Sequence, residues 1–297
     1  MGRAAPGAVR LALYLRLGRV SNLPTVWSNV LAGVVLADGA PRAGTLVPLL
    51  AALSLFYVGG MFLNDAFDRD VDARERPERP IPSGRIGAAE VFGLGFAMFA
   101  VALGILGVHA ASSTGVVWPT ALTGLGLAGV ITYYDAHHKR NPLSPLVMGL
   151  CRVLVYVLAA VAATGRLPGA VLAGSLVLLS YLIGLTYVAK QETLAEYRNL
   201  WPLAFLFAPF VYGLPALAGG LTGPALFAAL LAWVCYSISF LVRRGRVDIP
   251  RAVVGFLAGI SLLDALLIAR HGAAPAAWLA TTGFALTLLL QRYVRGT

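Results

Sequence analysis

The chain of 297 residues is 59 % hydrophobic and only 12 % charged, with a formal net charge of +10. A soluble domain carries about 25 % charged residues, so this composition excludes an ordinary soluble fold and predicts an all-α protein that crosses the membrane repeatedly. The basic residues are scattered over separate segments, which excludes a nucleic-acid interface and leaves the bilayer, with its anionic headgroups, as their partner.

Ten apolar windows follow one another near residues 22–37, 45–63, 88–108, 114–134, 143–163, 168–189, 201–219, 222–242, 251–269 and 274–291. Each is about 20 residues long, enough to cross ~30 Å of hydrocarbon at ~1.5 Å per residue. The alternation of a β-barrel is absent. The windows predict one integral domain over residues 1–297, a bundle of nine to ten helices. The two weakest are the first, which opens on Asn22 and Pro24, and the ninth, which contains Asp264. With the N-terminus in the cytoplasm, nineteen of the twenty-three basic residues fall inside and three (Arg42, Arg166, Arg270) outside, with Arg152 within a helix. That asymmetry predicts a cell inner-membrane protein whose polar loops face the cytoplasm. Both cysteines, Cys151 and Cys235, lie in apolar windows, where neither a disulfide nor a thiolate site is expected.

In chain order, the first helix carries Asn22, Ser28 and Asn29, which suit either a polar cavity or helix-packing hydrogen bonds. The first inside loop follows the second window and is the most informative segment. It reads Asn64-Asp-Ala-Phe-Asp-Arg-Asp-Val-Asp72, then Arg74, Arg76, Arg79 and Arg85. A carboxylate at membrane depth costs about 3 kcal/mol unless it is paired or bound to a metal. On a helix Asp65, Asp68 and Asp72 fall within about 60° of one another. Three carboxylates on so narrow a face predict a shared divalent cation, and Mg2+ takes carboxylate, phosphate and water oxygens. Asn64 can add a neutral oxygen, and the arginines suit a diphosphate.

The second inside connection, Tyr133 to Asn141, offers Lys139 and Arg140 as phosphate donors. His137 and His138 point ~100° apart on a helix and are expected at the surface. Arg152 and Tyr156 share a helix face one turn apart, and a buried arginine there must face a cavity or a carboxylate. The third inside connection places Glu192 and Glu196 about 40° apart on a helix, flanked by Lys190 and Arg198. With the chemistry on one side, a cavity opening to the cytoplasm is expected.

The run Asn64-Asp65-x-x-Asp68-x-x-x-Asp72, followed by Arg79-Pro-Ile-Pro-Ser-Gly84, resembles the signature of the UbiA superfamily of intramembrane prenyltransferases. The likeness extends through Lys139-Arg140 and the helix pattern, and Ser21-Asn-Leu-Pro-Thr-Val-Trp-Ser-Asn29 resembles the EboC-like branch. The resemblance implies a bundle, nine-helix in the family, around a central cavity. Two acidic motifs would hold Mg2+ and the diphosphate of an allylic prenyl donor, with an unidentified small molecule as acceptor. Asp65, Asp68, Asp72, Glu192 and Glu196 are then the expected metal ligands, and Asp68, Asp72, Glu192 and Glu196 the catalytic acids. Asn64, Arg76, Arg79, Tyr134, Lys139, Arg140 and Lys190 are expected around the donor, and Arg152 and Asn22 on the acceptor side. The family's second motif is usually Asp-x-x-x-Asp; here Glu192 and Glu196 keep its spacing with side chains one methylene longer.

Two other classes compete. An isoprenoid-binding or transport protein on the same scaffold would bind donor without releasing diphosphate. A CDP-alcohol phosphotransferase also uses border aspartates and Mg2+, but it needs an Asp-Gly that this acidic cluster lacks.

Overall fold

The computed structural model describes residues 6–139, 141–190, 201–218, 220–242 and 248–294. Every regular element among the described residues is helical: α1 (Pro6–Leu17), α2 (Leu23–Leu36), α3 (Ala43–Phe67), α4 (Arg69–Glu75), α5 (Ala88–Ser113), α6 (Trp118–His137), α7 (Ser144–Thr164), α8 (Gly169–Lys190), α9 (Ala208–Gly213), α10 (Thr222–Val242), α11 (Ile249–Arg270) and α12 (Ala274–Leu290). Each apolar window coincides with helical backbone. The seventh is broken into 3-10 turns on either side of α9. Pro202, Pro209 and Pro215 explain the break, because each removes a backbone donor that a continuous helix would need.

Seven stretches are long and apolar enough to cross a membrane: α3, α5, α7, α8, Trp201–Ala218, α10 and α11. The expected count of nine to ten also admits α2 and α12, which are shorter, and α6, whose threonines, tyrosines and Asp135 make it more polar.

Helix α2 occupies the middle of the bundle and packs against α3, α7, α11 and α12. Helix α11 is buried almost all round, as befits an element apolar on every face. Its one acid, Asp264, is fully buried. Ser28 Oγ (2.5 Å) and Asn29 Nδ2 (2.8 Å) donate to its Oδ2, and Tyr156 Oη donates to Oδ1. A polar residue that weakens the ninth window in the sequence thus ties α2, α7 and α11 together.

On the other side of α2, helix α3 packs along α5 and crosses α6. A Cβ built on Gly60 would stand 2.9 Å from Ile131 Cγ2, so a larger residue there would have to displace the Ile131 side chain where the two helices meet. One turn further along both helices stand Asn64 and Asp135.

Candidate active site

The acidic run begins in the last turn of α3 and continues into α4 with little deviation. Asp68 separates the two helices but keeps right-handed helical dihedrals (φ −78°, ψ −5°). Its N–H is donated to the Asn64 carbonyl, and its own carbonyl accepts from Val71 and Asp72. The helical phase therefore survives the junction, and Asp65, Asp68 and Asp72 are 8 %, 6 % and 3 % exposed while Asp70 faces out.

Helix α4 stops before Pro77, and residues 76–85 form turns closed by Arg79 N–H to the Arg76 carbonyl, Ser83 N–H to the Arg79 carbonyl and Gly84 N–H to the Ile81 carbonyl. Gly84 sits at φ +73°, a left-handed conformation that explains the glycine closing the Pro-Ile-Pro-Ser-Gly run. These turns return Arg79 to the acidic face. Its Nη1 lies 2.8 Å from Asp72 Oδ2 and 3.4 Å from Asp65 Oδ1. Arg74 and Arg76 stay exposed, and Arg85 folds back on Ser83 and the Glu78 carbonyl.

Two further segments meet the cluster. Arg19, between α1 and α2, places Nη2 at 3.2 Å from Asp65 Oδ1 and 3.4 Å from Asn64 Oδ1. From the end of α6, Lys139 Nζ and His138 Nε2 lie 3.3 Å and 3.5 Å from Asp68 Oδ2. Burial alone would raise the Asp68 carboxyl; the hydrogen bonds and charges of His138 and Lys139 outweigh it and hold the group below the usual carboxylate range. Asn64 Nδ2 donates to Asp135 Oδ1 at 3.1 Å, while Asp135 Oδ2 is buried with no hydrogen-bond partner among the described residues.

Of the other expected residues, Tyr134 stacks on His138 with ring centroids 5.0 Å apart and donates to Met148 Sδ. Lys190 Nζ donates to the Asn141 carbonyl at 2.9 Å, so the end of α8 lies against the α6–α7 connection. Arg152 lies apart from the cluster. It donates to Asn29 Oδ1 (2.7 Å) and Thr25 Oγ1 (3.0 Å) and lies over the Tyr57 ring. Asn22 accepts from Gln291 Nε2 at 3.0 Å, tying α2 to the end of α12. Arg140, Glu192 and Glu196 lie outside the described residues.

The surface placement expected of both histidines holds for His137 alone. The ~100° step between neighbours on a helix turns His138 inward to Asp68 while His137 stays exposed. Arg19 and Asp135 were not singled out from the sequence. Asp135 carried a readable signal, an acid at the end of an apolar window, the same feature that marks Asp65.

Among the described residues no three carboxylate, imidazole or thiol groups form a ready-made cation nest. Guanidinium and ammonium groups hold the carboxylates instead. The donor set nevertheless suits a hard divalent cation, because Asn64, Asp65, Asp68, Asp72 and Asp135 offer oxygen ligands and one of those oxygens is buried and unpaired. The cations beside Asp65, Asp68 and Asp72 are groups that could hold a polyanion if a metal took those carboxylates.

The model of the UbiA prenyltransferase family matches residues 25–260. Digeranylgeranylglyceryl phosphate synthase of Methanopyrus kandleri is 33 % identical over 199 residues, covering 65 % of this chain and 58 % of that protein. The match thus spans little more than half of that relative's length. Among solved structures, a UbiA homologue from Aeropyrum pernix K1 gives a TM-score of 0.65 at 19 % identity, over 82 % of this chain and 96 % of that one. A UbiA homologue from Archaeoglobus fulgidus bound to GPP and Mg2+ gives 0.60 at 17 % identity, over 91 % and 99 %. At these identities the structural likeness is one of fold.

Proposed function

The chain belongs to the UbiA prenyltransferase family, and from that membership we propose an integral-membrane enzyme that moves an isoprenyl group from an allylic diphosphate to a small acceptor. Diphosphate is released and Mg2+ is the cofactor. The observation that carries this proposal is the meeting of the buried Asn64, Asp65, Asp68 and Asp72 with the half-buried Arg19 and Arg79 and the exposed Lys139. The Archaeoglobus fulgidus neighbour, bound to GPP and Mg2+, supports it.

When bound, Mg2+ supplies positive charge against the charge that develops on the leaving diphosphate. Asn64, Asp65, Asp68 and Asp72 are the residues that would hold it. Glu192 and Glu196 belong to the same proposal, supported by the contact of nearby Lys190 with the α6–α7 connection. Arg79, Arg19 and Lys139 bind phosphate oxygens. As the allylic C–O bond breaks, its electron pair leaves with the diphosphate and these cations stabilise it. The nucleophilic atom of the acceptor bonds to the allylic carbon and its proton passes to the released diphosphate, while the apolar bundle keeps water away. The basic-residue asymmetry supports placing this end on the cytoplasmic face of the inner membrane.

Membranes containing the protein should release diphosphate from geranyl diphosphate only with Mg2+, and Asp68→Ala should abolish release. Undiminished turnover by a folded Asp68→Ala variant removes the metal assignment. Donor binding without release, across a broad acceptor panel, makes the chain an isoprenoid carrier instead.

A further inference from the structure

From the Asn64–Asp135 contact and the unpaired Asp135 oxygen we infer that Asp135, on a different helical hairpin from the Asn64–Asp72 motif, is an additional ligand for the divalent cation. Each of the other three buried acids at this end has a cationic side chain beside it. Asp65 has Arg19 and Arg79, Asp72 has Arg79, and Asp68 has Lys139 and His138. Asp135, at 3 % exposure the equal of Asp72 in burial, makes no ion pair among the described residues. Its only side-chain partner there is the neutral amide of Asn64, which takes Oδ1 and leaves Oδ2 bare.

A buried carboxylate oxygen with neither cation nor donor is expensive, and carboxylates in such positions are paired or coordinate metals. The fold fixes this one where a ligand is useful. Gly60 and Ile131 pack where α3 meets α6, one turn before Asn64 and Asp135. Asn64 then bridges the two hairpins: Nδ2 reaches Asp135 while Oδ1 faces Arg19, which also holds Asp65. Asp135 is thus carried beside the motif by the helical backbone of α6 rather than by a loop. A hard cation accepts such a monodentate oxygen readily.

This role rests on the proposed function, so the test separates the two. Mn2+, as the spectroscopic stand-in for Mg2+, is titrated into the full chain in lipid nanodiscs and followed by electron paramagnetic resonance, with and without inorganic pyrophosphate. Asp135→Asn keeps the oxygen that accepts from Asn64 and removes the charge and the second oxygen, so the α3–α6 tie survives. It should weaken Mn2+ binding by about tenfold or more. Asp135→Glu should retain more affinity than Asp135→Asn, and the exposed Asp70→Asn none of the loss. Wild-type affinity in Asp135→Asn, alongside lost binding in Asp68→Asn, overturns the role of Asp135 and leaves the proposed function standing. Absence of Mn2+ binding by the wild-type chain in both conditions overturns both.

Discussion

Arg79 shows how much one side chain can hold. Its Nη1 alone contacts Asp72 and Asp65, two buried acids seven residues apart on a helical path. Removing it leaves Asp72 without its cation and Asp65 with Arg19 alone; stranding one partner of a buried pair costs about 3–5 kcal/mol, and the partial exposure of Arg79 places the expected loss at the lower end. Lysine offers a point charge in place of a planar fork and cannot reproduce the shared contact. Arg79→Ala should raise the KM for geranyl diphosphate by about tenfold and lower stability, with Arg79→Lys between it and wild type, as read from diphosphate release at varied donor. The four motif residues Asn64, Asp65, Asp68 and Asp72 were legible because helical spacing is a local property. The choice of Arg79 over Arg76 was not, because it depends on the turns of residues 76–85 and the left-handed Gly84.

Helices α2, α7 and α11 meet around Asp264, which accepts from Ser28, Asn29 and Tyr156. Asn29 also accepts from Arg152, so a half-buried arginine and a buried aspartate share one amide between them. Such a relay compensates both charges without a direct ion pair. Asp264→Ala leaves Asn29 and Tyr156 without the acceptor they share, while Ser28 can turn to the Thr25 carbonyl, and should cost about 3 kcal/mol. Tyr156→Phe removes one donor and should cost about 1 kcal/mol. Thermal unfolding in detergent micelles checks the order: a clear drop for Asp264→Ala and a smaller one for Tyr156→Phe. In the sequence Asp264 reads only as a flaw in an apolar window. Its partners on α2 are more than 230 residues away along the chain, and no periodicity reports on them.

At the scale of the whole molecule, apolar length and the bias of basic residues define the bundle and its expected orientation. Both are sums over many residues, so single exceptions such as Asp264 do not obscure them. Orientation is open to a direct test in a Cys151→Ala, Cys235→Ala background. Ser83→Cys, exposed beside the acidic patch, should react with a membrane-impermeant maleimide only in inverted vesicles, and Arg42→Cys, exposed just before α3, only in intact cells. The reverse pattern would put the acidic end outside the cell.

The sequence by itself determined the all-helical membrane bundle, the location of each helical window and the acidic motif at the end of α3, because hydropathy and helical phase act over a few turns of chain. Only the tertiary structure decided which cation faces which acid, that His138 and Asp135 turn inward, and that Asp264 belongs to α2 and α7 as much as to its own helix. Those contacts join residues such as Asn64 and Asp135, 71 positions apart, and a side chain's partner across such a gap is set by how helices cross.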